Sequence, residues 1–356
     1  MSGEQPIDGR VAMADDMVAG IEQSRADALH EAAVVCDLTL PWGPGYANQD
    51  RVLSRFRASG IDFVSLTVGL DRMSLEQTIR HIAAERARFA KLESEGYVLV
   101  DTVDDILRAK REGKLALGFH FQGSNPLQGD PKMVGLYYRL GIRHMLFAYN
   151  QRNMAADGCH EDSDVGLSRF GHALVREMNR VGMIIDCTHT GHRSTMDILE
   201  ASADPVMFSH SNAWSLVPHD RNIKDDQILA CAAKGGLIGI NGVGHFLSTD
   251  MVASPEAFFR HIDYMVTKTH WRHVCIGIDH VYYSEQMAER RTANPDTFPR
   301  GYPTGGKVAS YVMPEDLRAV TRLMVDHGYP DEAVRGILGQ NFLDLARRVW
   351  KPVATA

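Results

Sequence analysis

Eight short runs of apolar and β-branched residues recur along the chain, and segments with helical periodicity separate them. The runs lie at 33–38, 61–68, 115–121, 143–149, 182–187, 205–210, 236–241 and 273–279. Helices are predicted between them at 74–95, 102–112, 166–181, 192–201, 224–234 and 255–270. Apolar strands that alternate with helices are typical of a parallel sheet covered on both faces. We therefore predict an α/β fold that closes as a (β/α)8 TIM barrel. An open doubly wound sheet is the alternative, which the lack of a GxGxxG motif after the first strand disfavours.

The rest of the chain is predicted to flank one barrel domain that spans residues 33–356. Residues 1–32 are predicted to form an N-terminal helical extension. A long stretch rich in Gly, Pro and charge at 283–313 follows the eighth strand, and loops of that length are usually functional or disordered. We predict that it forms a lid or a wall of the substrate site. Terminal helices are predicted within 314–349, where two proline-acid-acid sequences are typical helix starts.

Composition excludes several classes of protein. The 356 residues include 38 basic and 45 acidic ones, so the net charge is −7, which argues against a nucleic-acid or anionic-membrane partner. No window of about 18 apolar residues predicts a membrane span. The 5 cysteines form no CxxC pair and no basic-apolar leader is visible, so we expect a reducing cytoplasm. Histidine is frequent, with 16 copies, and is the commonest neutral metal ligand.

Polar side chains concentrate where the predicted strands end. In a TIM barrel the chemistry lies at the carboxyl ends of the strands. The strand ends here carry Asp37, Thr39, Gln122, Tyr149, Asp186, His189, His210, Asn241, Asp279 and His280. Each residue has an ordinary structural explanation, such as a cap or a hydrogen-bonded core histidine. Unrelated structural residues have no reason to share one face of a barrel, so their joint occurrence predicts a site.

Three of these residues suit metal chemistry. His189 and His210 from consecutive strands, with Asp279 from the eighth, suit Zn²⁺ or a similar divalent ion. Such a metal lowers the pKa of a bound water toward ~7, and Asp279 would hold that water or exchange a proton with it. Arg221 is a candidate for binding a substrate carboxylate, with Asn222 beside it, and a surface salt bridge is the alternative for Arg221.

The segments around these residues resemble the membrane (renal-type) dipeptidase family, peptidase family M19. The resemblance covers nearly the whole chain from residue 34 and is carried by the segments 166–194, 205–228, 235–241, 273–279 and 336–350. It implies an amidohydrolase-like (β/α)8 barrel, a homodimer, and a binuclear zinc centre that hydrolyses dipeptides. By the same resemblance His189 and His210 match the histidines of the second metal. Asp279 then matches the acidic residue that handles the proton, and Arg221 the arginine that binds substrate.

Four positions depart from the family pattern. Asp37 and Thr39 stand where the family has a His-x-Asp pair. Gln122 stands at the position of the bridging glutamate. Tyr149 stands at the position of the histidine that polarises the scissile carbonyl, and its phenol can still donate a hydrogen bond to a developing oxyanion.

These substitutions change the expected metal content. Gln122 is neutral and cannot supply the negative charge that lets two dications lie ~3.5–4 Å apart. We therefore expect about one Zn²⁺ per chain, held by His189, His210 and either Gln122 or Asp37, with a second site weakened or lost. His120 shares the face of Gln122 on its strand, so it is either a new ligand or a histidine of the barrel interior.

The sequence leaves three functions open. The first is a metal-dependent hydrolase that cleaves a dipeptide or a similar small amide. The second is a drifted relative that acts on a lactone, an ester or another small acid, and the third is a catalytically silent scaffold. Joint retention of His189, His210, Arg221 and Asp279 disfavours the silent scaffold. The segment 283–313 is expected to decide the substrate: its two arginines at 290 and 291 favour an acidic one, unless they belong to a solvated loop.

Overall fold

Nine parallel strands form one sheet in the computed structural model, which describes residues 23–353 except 300, 304 and 306. They are β1 (Cys36–Pro41), β2 (Phe63–Leu70), β3 (Tyr97–Leu99), β4 (Leu115–Gln122), β5 (Ile142–Leu146), β6 (Ile184–Asp186), β7 (Met207–Phe208), β8 (Leu237–Ile240) and β9 (Val274–Ile276). Eight of them pair in the order β1-β2-β4-β5-β6-β7-β8-β9, and β3 pairs with β4 outside this path.

The sheet curls into a nearly closed barrel. Asp37 of β1 accepts a hydrogen bond from the backbone N–H of Ile278, just after β9, at 2.9 Å, and this bond joins the first strand to the last. The predicted (β/α)8 TIM barrel is confirmed, and each of the eight predicted apolar runs overlaps a strand. The sequence did not predict β3, because its apolar run, 97–100, is shorter than the eight predicted runs and lies between two predicted helices.

Helices surround the barrel and cover its outer face. They are 23–32 (α1), α2 (Gln49–Ala58), α3 (Leu75–Lys91), α4 (Val103–Glu112), α5 (Met133–Arg139), α6 (Arg169–Val181), α7 (His192–Ala201), α8 (Asp225–Ala233), α9 (Gly244–Leu247), α10 (Pro255–Lys268), α11 (Ser284–Ala293), α12 (Leu317–Asp326), α13 (Asp331–Arg335) and α14 (Asn341–Val349). Reciprocal side-chain caps at Ser74 and Thr102 begin α3 and α4 where the sequence predicts them. None of the described helices is long and apolar enough to cross a membrane.

Two predicted segments differ in detail from the structure. The predicted loop 283–313 begins with a helix, α11, which the charged and Gly-poor start of that segment permits. The predicted terminal helix is interrupted between α13 and α14 by a π-helical stretch, Gly336–Gln340. A Cβ at Gly339 would lie 2.1 Å from the carbonyl oxygen of Val34, so only glycine lets this stretch approach β1. Residues 1–22 of the predicted extension lie outside the described residues.

The barrel interior contains a chain of buried polar side chains below the strand ends. The ring nitrogens of His120 are hydrogen-bonded to the hydroxyls of Ser65 and Thr67, at 2.9 and 2.8 Å. His144 stacks on His120 with ring centroids 4.4 Å apart and is hydrogen-bonded to Ser65 and to Asp186. Both nitrogens of His120 are therefore in use, and His120 is a residue of the barrel interior.

Close packing around the end of β7 makes a first prediction. A Cβ at Gly277 would lie 1.9 Å from the carbonyl oxygen of Ser209 and 3.2 Å from Cβ of His210. We expect Gly277→Ala to lower the free energy of unfolding by about 3 kcal/mol, as overpacking of a rigid core does, in chemical denaturation. The control is Gly135→Ala on α5, where no atom lies closer than 3.9 Å and the free energy should not fall. Equal stability of both variants would contradict this account.

Candidate active site

Two histidines meet at the mouth of the barrel. His189 follows β6 and His210 follows β7, and their Nε2 atoms lie 3.1 Å apart. Both side chains are buried. Burial, followed by the positive charge of Arg221, lowers the pKa of both imidazoles well below the usual value. Both rings are therefore neutral at pH 7, and neutral imidazole is the form that binds metal.

Asn150 sets the tautomer of His189. The amide nitrogen of Asn150 donates to the carbonyl oxygen of Thr297 at 2.9 Å, so its amide oxygen faces the histidine. The Nδ1–H of His189 donates to this oxygen at 2.5 Å. The other ring nitrogen, Nε2, then carries a free lone pair that points at His210.

Two hydroxyls leave the tautomer of His210 adjustable. Nδ1 of His210 is hydrogen-bonded to the hydroxyl of Thr39 at 2.9 Å and to that of Ser209 at 2.7 Å. A hydroxyl donates or accepts equally well. His210 can therefore keep its proton on Nε2 and donate to His189, or move it to Nδ1 and present a second lone pair. With the proton on Nδ1 of His210, the Nε2 lone pairs of both histidines converge. The hydroxyls of Thr39 and Ser209 then orient the ring of His210 through its Nδ1 atom.

The donor set fits one metal ion better than two. Two nitrogens that ligate one tetrahedral zinc at ~2.0–2.1 Å lie about 3.3 Å from each other, close to the 3.1 Å between the Nε2 atoms of His189 and His210. No group of three or more His, Cys, Asp or Glu side chains within the described ranges is arranged to hold a metal. Further ligands would have to be neutral oxygens or water.

Of the two further predicted ligands, Gln122 lines the cavity of the site, and Asp37 uses one oxygen on the backbone while its other oxygen has no partner among the described residues. Asp37 accepts backbone hydrogen bonds from Thr39 and Ile278 through one oxygen. Burial raises the pKa of its carboxyl well above the usual range. Gln122, by contrast, lines a small cavity of about 50 Å³ together with Asp279. Its amide nitrogen has no partner among the described residues, which leaves the amide free to turn.

Asp279 lies beside the histidine pair and has the properties of a general acid–base. It follows β9 in a left-handed backbone conformation, φ 52°, and lines the same cavities as His189. Its carboxylate accepts a hydrogen bond from the side-chain amide of Asn241 at 3.2 Å. Burial raises the pKa of Asp279 to about 7, against the opposing effects of Arg221 and Asn241. Such a group gains and loses a proton readily near neutral pH.

Arg221 is buried rather than on the surface. Its guanidinium donates to the carbonyl oxygen of His210 at 3.2 Å and lies over the ring of Phe246, and its Nε has no described partner. The predicted alternative, a surface salt bridge, is not seen among the described residues. Asn222 has a positioning role, because its amide donates to the carbonyl oxygens of Val217 and Phe246 and fixes the loop.

Tyr149 forms the wall between the cavities of the site. Its ring stacks on that of His189, with centroids 4.2 Å apart, and its backbone N–H donates to the carboxylate of Asp71 at 3.0 Å. Burial raises the pKa of the Tyr149 phenol to about 12, so the phenol keeps its proton and can donate a hydrogen bond.

Three supporting residues were not recognised from the sequence. Asn150 and Ser209 directly adjoin Tyr149 and His210 in the chain, so the strand-end motifs already contained a signal for them. Asp71 lies 78 residues before Tyr149, and no local pattern connects the two. Burial raises the pKa of Asp71 to about 6, and four hydrogen-bond donors around it include the amides of Asn125 and Asn153.

Comparison with known sequences identifies relatives over most of the chain. The family model for membrane dipeptidases (peptidase family M19) matches residues 47–289, which is more than half of the chain. An uncharacterised dipeptidase of Schizosaccharomyces pombe is 28% identical over 285 residues, which cover 78% of this chain. The match spans 62% of the length of that relative, which is less than two thirds.

Solved structures share the fold over nearly their full length. A crystal structure of an amidohydrolase from Pseudomonas aeruginosa has a TM-score of 0.80 and 25% identity, and the match covers 91% of this chain and 99% of that one. A metallopeptidase from Rhodobacter sphaeroides, liganded with a phosphinate mimic of the dipeptide L-Ala-D-Ala, has a TM-score of 0.71 and 19% identity. This second match covers 89% of this chain and 99% of the metallopeptidase, and at this identity it shows the fold alone.

The raised pKa of Asp279 makes stability depend on pH. The folded protein holds this proton more tightly than the unfolded chain, so the group stabilises the fold below about pH 4 and that stabilisation is lost as the pH rises through about 7. Asp279→Asn cannot ionise. We expect its free energy of unfolding, relative to the parent and with chelator present, to rise between pH 4 and pH 8 by no more than about 4 kcal/mol.

The control for this measurement is Asp162→Asn, at an exposed position where the difference from the parent should not change with pH. A constant difference for Asp279→Asn across the same range would show that its carboxyl titrates normally.

Proposed function

Because the chain belongs to the membrane dipeptidase family (peptidase family M19), we propose that it is a metal-dependent hydrolase that cleaves a dipeptide or a similar small amide. The observation that carries this proposal is the pair of neutral imidazole nitrogens 3.1 Å apart beside Asp279. The dipeptide mimic bound by the Rhodobacter sphaeroides metallopeptidase supports the same class of substrate.

One zinc ion would be held by His189 and His210, with the amide oxygen of Gln122 as the candidate third protein ligand. When bound, zinc supplies Lewis acidity and lowers the pKa of a water. The neutral amide at 122 and the hydroxyl of Thr39 carry no charge that would offset a second dication. We therefore propose one ion per chain.

Three side chains around this position have different roles in the proposed hydrolysis. Asp279 accepts a proton from the attacking water while the oxygen of that water bonds to the carbonyl carbon of the substrate. Asp279 then returns that proton to the amide nitrogen as the C–N bond breaks, which yields a carboxylic acid and an amine. The phenol of Tyr149 donates a hydrogen bond to the oxygen that becomes negative. Arg221 binds the carboxylate at the carboxyl-terminal end of the substrate.

The family likeness also supports a homodimer as the assembly. The cytoplasmic location and the division into a helical extension at 1–32 and a barrel domain at 33–356 stay predictions.

Metal content tests the donor set. We expect elemental analysis of purified protein to find about one zinc per chain, and His189→Ala and His210→Ala to lose it. His172→Gln, at an exposed position on α6, is the control that should keep it. The double variant Thr39→Asp with Gln122→Glu should bind a second ion because it adds two carboxylates. Two ions per parent chain would refute the proposed role of the neutral residues.

Kinetics test the role of Asp279. We expect Asp279→Asn to retain zinc and to lower kcat for a cleaved dipeptide by about 10²–10⁴-fold, the usual contribution of a general acid–base. Screening dipeptides beside small lactones and esters separates the candidate reactions. Hydrolysis of lactones with no cleavage of amides would replace the proposed function by the drifted alternative, and no zinc with no turnover would favour a silent scaffold.

A further inference from the structure

A large cavity adjoins Tyr149. It has a volume of about 500 Å³ and shares Tyr149 and Arg290 with the small cavity that is lined by His189 and Asp279. Arg221 lines a different space, of about 40 Å³, which shares Tyr149, His189 and Asp279 with that small cavity. A ligand that extends from the large cavity through the small one to Arg221 therefore passes His189 and Asp279.

Two guanidinium groups of this large cavity have no carboxylate partner. Arg72 and Arg290 both donate to the phenol oxygen of Tyr46, at 3.0 and 3.2 Å, so their donating nitrogens lie within about 6 Å of each other. Within the described residues, no carboxylate lies at ion-pair distance from either arginine. The third arginine of the cavity, Arg152, is already paired with Asp157.

The surroundings hold both arginines in place. The ring of Tyr46 stacks on that of Tyr283, with centroids 3.9 Å apart, so the phenol oxygen that receives both guanidinium groups is fixed. Burial by itself would raise the pKa of Tyr46, but the charges of Arg290 and Arg72, together with hydrogen bonds from Tyr283 and Arg72, lower it. The local potential is therefore positive.

The one carboxylate in the described lining of the cavity offsets this potential only in part. It is Asp71, whose oxygens accept from the backbone N–H groups of Asn125 and Tyr149 and from the amide of Asn153, and it brings one negative charge against two guanidinium groups. A substrate ammonium placed here would face two guanidinium groups. A carboxylate would find two guanidinium groups that have no carboxylate partner among the described residues, the half-buried Arg290 and the exposed Arg72.

We propose that the substrate carries a second carboxylate, on the amino-terminal side of the scissile amide, and that Arg72 and Arg290 bind it. The inference rests on the proposed function, in which Arg221 holds the carboxyl-terminal carboxylate on the other side. The preferred substrate then has a negative charge at both ends. The second carboxylate belongs either to an amino-terminal Asp or Glu or to a dicarboxylic acyl group.

Matched substrate pairs test this specificity. L-Glu-L-Ala is compared with L-Gln-L-Ala, and N-succinyl-L-alanine with N-butyryl-L-alanine, so that each pair differs in charge at nearly constant size. We expect the acidic member of at least one pair to have a kcat/KM at least 10-fold higher, and the pair that responds identifies the source of the carboxylate. Preference for the neutral member in both pairs would overturn the inference.

The arginines are tested by single variants. We expect Arg290→Gln and Arg72→Gln to lower kcat/KM for the acidic substrate by about 10- to 100-fold, mainly through KM, and for the neutral one by less than about 3-fold. Arg176→Gln, at an exposed position of α6, is the matched control and should change neither. Equal losses on both substrates would mean that the arginines support the structure only.

A binding measurement separates this inference from the proposed function. Calorimetry of glutarate and butyrate with the parent protein should show tighter binding of glutarate, and Arg290→Gln should abolish the difference. If that result holds while no amide is cleaved, the carboxylate site stands and the proposed reaction fails. If amides are cleaved while glutarate binds no better than butyrate, the reaction stands and the second carboxylate site is refuted.

Discussion

The contact between two buried neutral imidazoles organises this molecule. A charged imidazole would be costly at the closed mouth of the barrel, so His189 and His210 stay neutral and each ring nitrogen needs a partner. Asn150, Thr39 and Ser209 supply those partners from three different parts of the barrel. The tautomers of the two histidines depend on this one requirement.

The side chains around the site bring more positive than negative charge. Thr39 and Gln122 bring no negative charge to the histidine pair, and burial disfavours the charged form of Asp37 by raising its pKa. Arginines on both sides of Tyr149 add positive charge. In the proposed reaction, the negative charge beside a dication and these arginines comes from Asp279 and from the substrate. The proposals of one metal ion and of a doubly anionic substrate both rest on this electrostatic arrangement.

The barrel also explains residues that resemble ligands in the sequence. One carboxyl oxygen of Asp37 accepts backbone hydrogen bonds at the junction of β1 and β9, so this carboxyl helps to close the sheet. His120 is held through both nitrogens in the interior polar chain. Asn222 fixes the loop that carries Arg221. In each case a polar residue at the expected place satisfies a backbone or core requirement.

The sequence by itself determined the eight main strands, most helices and the candidate residues His189, His210, Arg221 and Asp279. It did so because a buried strand and its end are recognisable from the local order of apolar and polar residues, without knowledge of the residues that they contact. The apolar run around β3, by contrast, is only four residues long and was not recognised. Only the tertiary structure decided which polar residues face one another, such as Asp71 with the backbone of Tyr149, and which arginines lack a carboxylate. These facts depend on distances between residues far apart in the chain, which folding alone brings together.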